Sequence, residues 1–347
     1  MGILRFLLAM SVIASHASGV GIPLPDGKPY PMWAMGLIDG RQSVALFFII
    51  SGFYMAMVLN TKYQNKTLAF YGNRFLRLWP TYIIVFILAC IFNPVGKTVL
   101  ELTQHCGFGV KAYVWLSNIF ILGTDSFWLL SLKDCHLHYF PAFINPSSNG
   151  ANLLINSPSF SISMEMIFYL MAPFILKSLK RTWIYFFIGV LYFYYVVLSN
   201  NINIVFQYHL FPASFIYFAL GALAWHYSKQ TNFELTTKKT ITIFIGCLGL
   251  MFVYSLFSMI IILCFTIMVP RLFEITKRSK ADRLIGELSY PLYIVHYPVL
   301  ICLWNSGIAQ HKLGLTCFTI TLAISIIIHF VVERPIDKWR HRQLEKA

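Results

Sequence analysis

Charge is scarce in this sequence. Of 347 residues only 12% are Asp, Glu, Lys or Arg, while 58% are apolar. A soluble domain carries about twice that charge, so a soluble globular enzyme is excluded, and so is a disordered chain. Carboxylates are the rarest charges: 13 Asp and Glu stand against 27 Lys and Arg, a net charge of +14. In a soluble chain such an excess would point to nucleic acid. Here no stretch is both basic and polar enough to form a domain of that kind, which excludes nucleic acid as a partner. Seven cysteines scattered over 347 residues exclude a disulfide-stapled miniprotein, and no pair has metal-ligand spacing, so no metal is expected. There is no Gly-rich phosphate loop, no Gly-x-Ser-x-Gly elbow and no His-Glu-x-x-His zinc helix. Nothing suggests haem or flavin, and no internal repeat is visible.

What the sequence has in abundance is long apolar runs. A helix needs about 20 apolar residues to cross ~30 Å of hydrocarbon. Runs of that kind fall near 3–20, 42–60, 79–93, 160–176, 183–199, 205–227, 284–303 and 313–332. The stretch 240–270 is long for one span and slightly short for two, and Ser255 and Ser258 near its middle could make a tight turn. Basic residues decide between these. With a cytoplasmic N-terminus and a hairpin at 240–270, 21 of the 27 Lys and Arg lie inside, leaving Lys28, Arg41, Lys97, Lys111, Lys133 and Lys312 outside. A single span there would send the downstream basic segments to the wrong side. The expectation is an all-α polytopic membrane protein of about ten transmembrane helices with both termini cytoplasmic.

Residues 1–347 read as a single membrane domain with a large external region at about 94–158. Within it, 113–130 is apolar enough to enter the bilayer, yet one crossing there would break the parity, so it reads as an interfacial or re-entrant piece. Asn145-Pro146-Ser147-Ser148-Asn149-Gly150 is turn chemistry. Cys106 and Cys135 both fall in this region; they form a disulfide if that side is oxidising, or remain two buried thiols. The first run has a second reading as a secretory signal, with small residues from Ala14 to Gly19 and cleavage after Ala17. A chain this hydrophobic favours a retained span.

Ionisable groups within a span are costly and mark functional candidates. Arg5 and His16, eleven residues apart, share one helix face at two depths, roughly 16 Å apart along the axis. His16 could be a general base, since an imidazole both takes and gives protons near neutrality. Equally, Arg5 could snorkel to the headgroups and His16 hydrogen-bond a neighbouring helix. Arg74 and Arg77 stand one turn apart before Pro80, fit to grip a phosphate or to anchor the inside face. Ser159-Phe160-Ser161-Ile162-Ser163-Met164-Glu165 opens another span, and its intramembrane Glu165 needs a partner or a proton. Ser289-Tyr290-Pro291-Leu292-Tyr293-Ile294-Val295-His296-Tyr297-Pro298 sets His296 among aromatics, with prolines that free backbone groups. His329 and Glu333, four apart, form a plausible local pair of structural character, ahead of Arg334-Pro335.

In their order these pieces resemble the acyltransferase-3 family of integral membrane O-acyltransferases. The matching features are Arg5-Phe6-Leu7 with His16, then Phe47-Phe48-Ile49-Ile50-Ser51-Gly52-Phe53, then Arg74, Arg77-Leu78 and Pro80. Ser161, Ser163, Glu165 and Phe168-Tyr169-Leu170 follow, then Ser289-Tyr290-Pro291-Leu292-Tyr293 with His296, and finally Glu333-Arg334-Pro335. Each motif alone is weak; six in order across nearly the whole chain are specific. Phe160 departs mildly from the Trp common in relatives.

The resemblance implies transfer of an acyl group, usually acetyl from acetyl-CoA, to a hydroxyl of a bacterial surface polysaccharide or glycolipid. The setting would be the cytoplasmic (inner) membrane. It makes His16 and Arg5 the essential pair and places Arg74 and Arg77 in a basic motif that would hold the CoA phosphates. The candidate site is then His16, Arg5, Glu165 and His296 for catalysis, with Glu165 or His296 orienting the His16 ring. Ser161, Ser163 and Tyr293 would contact the acceptor. Acyl-CoA, a carbohydrate acceptor and membrane lipid are the expected partners, and a homo-oligomer is left open. Some relatives carry an added hydrolase-like domain for which this chain has no room.

Two other classes compete. A transporter or flippase of a lipid-linked sugar could use His and Glu for proton coupling, although no inverted repeat is visible. A scaffold in a polysaccharide assembly complex would tolerate loss of His16 or Arg5.

Overall fold

The structure is a computed structural model, and it describes residues 1–17, 39–139, 150–199, 205–229, 256–308 and 310–346. Helix α1 is Gly2–Ala17, α2 Gly40–Thr61, α3 Thr67–Phe92, α4 Pro94–Thr103 and α5 Phe108–Phe120. A two-stranded hairpin follows, β1 Leu130–Lys133 and β2 His136–Tyr139. Then come α6 Ser159–Ile175, α7 Leu179–Leu198, α8 Phe215–Ser228 and α9 Leu256–Thr276. The chain continues through α10 Lys280–Glu287, α11 Ser289–Asn305, α12 Gln310–Ile328 and α13 Arg334–Lys346. Where described, the apolar runs read from the sequence fall on helices except at 205–214, and one small hairpin is added.

Among the described residues five helical stretches are long and apolar enough to cross a bilayer: 40–61, 67–92, 179–198, 280–305 and 312–340. Gly2–Ala17 and Ser159–Ile175 are apolar but shorter. The last residues of the first expected span, the Asn145–Asn149 turn, and the first half of 240–270 with Ser255 lie outside the described residues, whereas Ser258, the other expected turn residue, lies in the first turn of α9.

Two expected spans differ in outline. The run at 205–227 is not one helix: a π-turn at Val205–His209 gives way to extended backbone at Leu210, and a 3-10 turn at Phe211–Ser214 leads into α8. Pro212, which cannot donate to the ladder, sits at that restart. Helix α3 starts at Thr67, not near 79. Its 26 residues measure about 39 Å, so Arg74 and Arg77 lie inside the helix.

The chain divides into two compact units. The first comprises residues 1–44, 72–163 and 277–347. Its core is α1 seated against α10, α11 and α12. At the start of α1, the Asp282 carboxylate accepts hydrogen bonds from the Gly2 amide at 2.6 Å and the Ile3 amide at 3.0 Å, and pairs with the Met1 amino group at 2.8 Å. These are the donors that a helix N-terminus leaves unsatisfied. Gly2 and Gly286 let the two backbones meet; a Cβ on Gly2 would overlap the Asp282 carbonyl oxygen.

The stretch 94–139 also belongs to this unit. Helix α5, 13 residues and about 20 Å long, is too short to cross a bilayer. The hairpin pairs Leu130 with Tyr139 and Lys133 with His136. Its two-residue turn puts Asp134 and Cys135 at φ of 47° and 59°, the left-handed pair that a type I′ turn requires. Cys135 is disulfide-bonded to Cys106 across 29 residues, with the Cα atoms 4.7 Å apart.

The second unit comprises residues 45–71 and 164–276. Helices α2 and α8 touch backbone to backbone: a Cβ on Gly52 would strike the Phe218 carbonyl, and one on Gly221 the Ile49 carbonyl. Around this contact Phe218 stacks on Phe168 with ring centroids 3.8 Å apart, and Phe48 lies 4.6 Å away. Such pairs add to simple area burial.

In membranes isolated without reductant, the wild-type Cys106 and Cys135 sulfurs, paired as a disulfide, are expected to resist a membrane-impermeant maleimide. Cys106→Ser should expose Cys135 to it. Labelling of both thiols in the unreduced wild type would contradict the pairing.

Candidate active site

Two histidines far apart in sequence meet inside the first unit. His16 Nδ1, near the end of α1, lies 2.8 Å from His296 Nε2 on α11. The two rings are nearly coplanar, 8° apart, and Tyr297 stands edge-on to His16 at 5.9 Å. The direction of the hydrogen bond follows from the other nitrogen of His296. Its Nδ1 is 2.5 Å from the Tyr293 carbonyl, and a carbonyl only accepts, so Nδ1 carries a proton. With both rings neutral, His296 Nε2 is then bare and accepts from His16 Nδ1–H. His16 Nε2 is left with a free lone pair. The arrangement presents a base or nucleophile held in one tautomer by the ring behind it.

Helix α11 builds the rest of this wall. Tyr293, His296 and Tyr297 are three and four apart and share a face. Pro298 has no N–H to give the Ile294 carbonyl, and Asn156 Nδ2 donates to it instead at 3.0 Å. Asn156 is wholly buried, and its Oδ1 accepts no hydrogen bond among the described residues. The loop carrying it is pinned by Asn118, which donates to Val114 and Leu153 carbonyls and accepts from the Ile155 amide. Helix α5 therefore sets the position of a residue against α11.

Ser161 donates to the Pro158 carbonyl at 2.9 Å and lies 2.7 Å from the Tyr293 hydroxyl. Having one proton, it leaves Tyr293 as donor in the second bond. Ser163 donates to Asp125 Oδ1 at 2.8 Å and accepts from the Gly123 amide at 3.0 Å. Both serines are buried and engaged by protein. Asp125, a buried carboxylate in a 3-10 turn, was not among the residues singled out from the sequence.

The basic motif on α3 is split by burial. Arg77 is exposed, whereas Arg74 is only 8% exposed. Its Nη2 donates to Asn73 Oδ1 at 3.3 Å, and the Asn73 carbonyl accepts from Arg340 on α13 at 3.2 Å. Arg340, also buried, pairs with Asp337 at 2.6 Å. A topological anchor would leave its guanidinium in the headgroups; Arg74 and Arg340 have instead been brought inside around one asparagine. Arg5 lies half-buried on α1, eleven residues before His16.

Glu165 belongs to the second unit. Its Oε1 accepts from Ser51 at 2.6 Å and from Tyr169 at 2.5 Å, so the Ser51-Gly52-Phe53 motif supplies both a carboxylate partner and a helix contact. The ring partner of His16 is His296. His329 pairs with Glu333 at 3.2 Å, as its spacing suggested, and is held from its other side by Glu287 at 3.6 Å. Thr81 donates to Glu333 at 3.0 Å, so this cluster ties α3, α10 and the π-turn at His329–Glu333 together. Among the described residues no group of three or more His, Cys, Asp or Glu could hold a metal.

Asn156, Asn73, Asp125, Arg340 and Glu287 escaped the sequence reading. Only Asn156 had a signal, since Pro298 in an apolar helix announces an orphaned carbonyl at Ile294. Replacing Asn156 by Leu should cost about 1–3 kcal/mol by leaving that carbonyl unpaired. A thermal melt of the purified variant that superimposes on wild type would contradict the role.

A family model described as an acyltransferase domain matches residues 1–334. Nodulation protein 10 of Rhizobium leguminosarum bv. viciae is 25% identical over 186 residues, 52% of this chain. The match takes in 44% of that relative, so the chain spans less than half the length of the curated protein it resembles. No solved structure matches. A single model taking in residues 1–334, over helices apolar enough for a bilayer, places this chain in the acyltransferase-3 family of membrane proteins.

Proposed function

We propose that this protein is a membrane O-acyltransferase, moving acetyl from acetyl-CoA to a hydroxyl of a bacterial surface polysaccharide or glycolipid. The observation that carries the reading is the His16–His296 hydrogen bond, whose direction leaves His16 Nε2 unprotonated. In the transfer that nitrogen takes the proton of the acceptor hydroxyl as the oxygen attacks the thioester carbonyl. The C–S bond breaks, and the departing thiolate receives the proton back from His16. A covalent route, with the acyl group resting on Nε2, needs the same lone pair. As His16 becomes an imidazolium, its Nδ1–H bond to His296 becomes charge-assisted and so strengthens where charge develops.

Arg74 and Arg77, with Arg5, are the candidate phosphate contacts for the donor. A guanidinium suits this work because its donors match phosphate oxygens two at a time. Ser161, Ser163 and Tyr293 would form the acceptor-facing wall, and Glu165 its own hydroxyl-bonded cluster. The membrane would be the bacterial cytoplasmic membrane.

The test uses membranes carrying the protein, fed acetyl-CoA labelled on the acetyl group, with label in the polysaccharide fraction and free thiol followed together. His16→Ala at matched expression should lose roughly a hundredfold to ten-thousandfold in rate, the usual worth of a general base. His296→Ala should lose about ten- to a hundredfold in kcat, the worth of one hydrogen bond to a charged group. Full activity in His16→Ala would overturn the scheme, and the absence of both label and thiol release in wild-type membranes would favour transport.

Arg74→Ala combined with Arg77→Ala should raise the KM for acetyl-CoA with a smaller change in kcat. An unchanged KM, measured in the same membranes, would reduce both to structural or topological roles.

A further inference from the structure

The second unit holds a cavity of about 550 Å³ that none of the chemistry above uses. Its walls are apolar and aromatic, with Phe53, Trp225 and Phe273 among them, and its charged lining is Lys229, Arg271 and Glu274. Phe53 is 2% exposed and lies 5.5 Å from Phe273, ring to ring. Lys229 and Arg271 are exposed, at the end of α8 and within the last turns of α9.

One wall residue is chemically incomplete. Trp225 is 8% exposed, and its indole N–H is buried without an acceptor among the described residues. An indole nitrogen only donates, and here that nitrogen has no open surface toward the cavity. The cavity therefore offers two exposed cations over an apolar floor. Its preferred occupant is an amphiphile with an anionic, acceptor-rich head.

We propose that this cavity is a binding site for an anionic glycerophospholipid, with the phosphodiester at Lys229 and Arg271. Two cations against Glu274 leave one net positive charge, which one phosphodiester neutralises. A donor such as CoA, carrying several phosphate charges, would overfill it. The glycerol backbone and first methylenes lie along Phe53 and Phe273. Tryptophan with Lys or Arg is the usual composition where a membrane protein meets headgroups, and basic pockets between helices hold such lipids. Both cations also fall in segments that the charge distribution assigns to the inside face. The inference requires the membrane location and is independent of the acyl-transfer chemistry.

The test uses the full-length chain purified in mild detergent, titrated with phosphatidylglycerol and followed by native mass spectrometry. Phosphatidylcholine and phosphatidylethanolamine are run as zwitterionic comparisons. Wild type should retain phosphatidylglycerol in preference to both. Lys229→Ala with Arg271→Ala, both at exposed positions, should weaken its binding roughly thirtyfold, from about a factor of five for each cation near a headgroup. A diazirine-bearing phosphatidylglycerol should crosslink to peptides containing Trp225 or Phe273. Equal binding by the zwitterionic lipids, an unchanged affinity in the double variant, or crosslinks confined to other helices would each overturn the site. Displacement of phosphatidylglycerol by CoA would assign the cavity to the nucleotide donor and overturn the lipid reading.

Discussion

Hydrocarbon offers no hydrogen bonds, so each polar group placed among apolar helices has to be answered by another group of the protein. Helix α11 is arranged by that requirement. Pro298 removes a donor, the Ile294 carbonyl loses its helical partner, and Asn156 supplies one from the loop before α6. One turn back, the Tyr293 carbonyl accepts from His296 and so fixes which nitrogen of that ring faces His16. The Tyr293 hydroxyl meets Ser161. A backbone irregularity and a backbone carbonyl together orient the imidazole on which the proposed chemistry rests.

That imidazole also needs a fixed height. Helix α1 is clamped at its first turn by Asp282 and by the Gly2–Gly286 contact. His16 sits fourteen residues beyond Gly2, about 21 Å along a rigid rod. Sites carried on packed helices hold their geometry better than sites on loops. The first unit in effect uses α10 to set the register of α1, and α11 to receive its far end. Two glycines do comparable work in the second unit, where Gly52 and Gly221 bring α2 and α8 to backbone contact while Ser51 on the same turn bonds Glu165.

Much of this was readable from residue types. His16, His296 and Glu165 stand out because ionisable groups are costly in apolar runs, and each has a bonded partner in the structure. The His329–Glu333 pair followed from helical spacing. The break near Pro212 and the early start of α3 were not readable from hydropathy. A sum over a window sees apolar content, but whether backbone continues as helix depends on local donors. For α3, Asn73, Arg74 and Arg77 interrupt the apolar run within residues 67–78 without interrupting the helix, since no proline lies there.

Residue-level chemistry is local, and so composition and spacing determined the membrane class, the helical periodicity, the family motifs and which side chains would be expensive to bury. Pairing across hundreds of residues depends on which helix faces meet, and that is a property of packing. Tertiary structure alone decided that His16 turns to His296, that Glu165 is bonded by Ser51 and Tyr169, and that Arg74 meets Arg340 around Asn73. It also decided that Cys106 reaches Cys135 and that Trp225 closes over a cavity with an unanswered N–H. A sequence states which groups need partners; only the folded chain brings the distant ones within 3 Å.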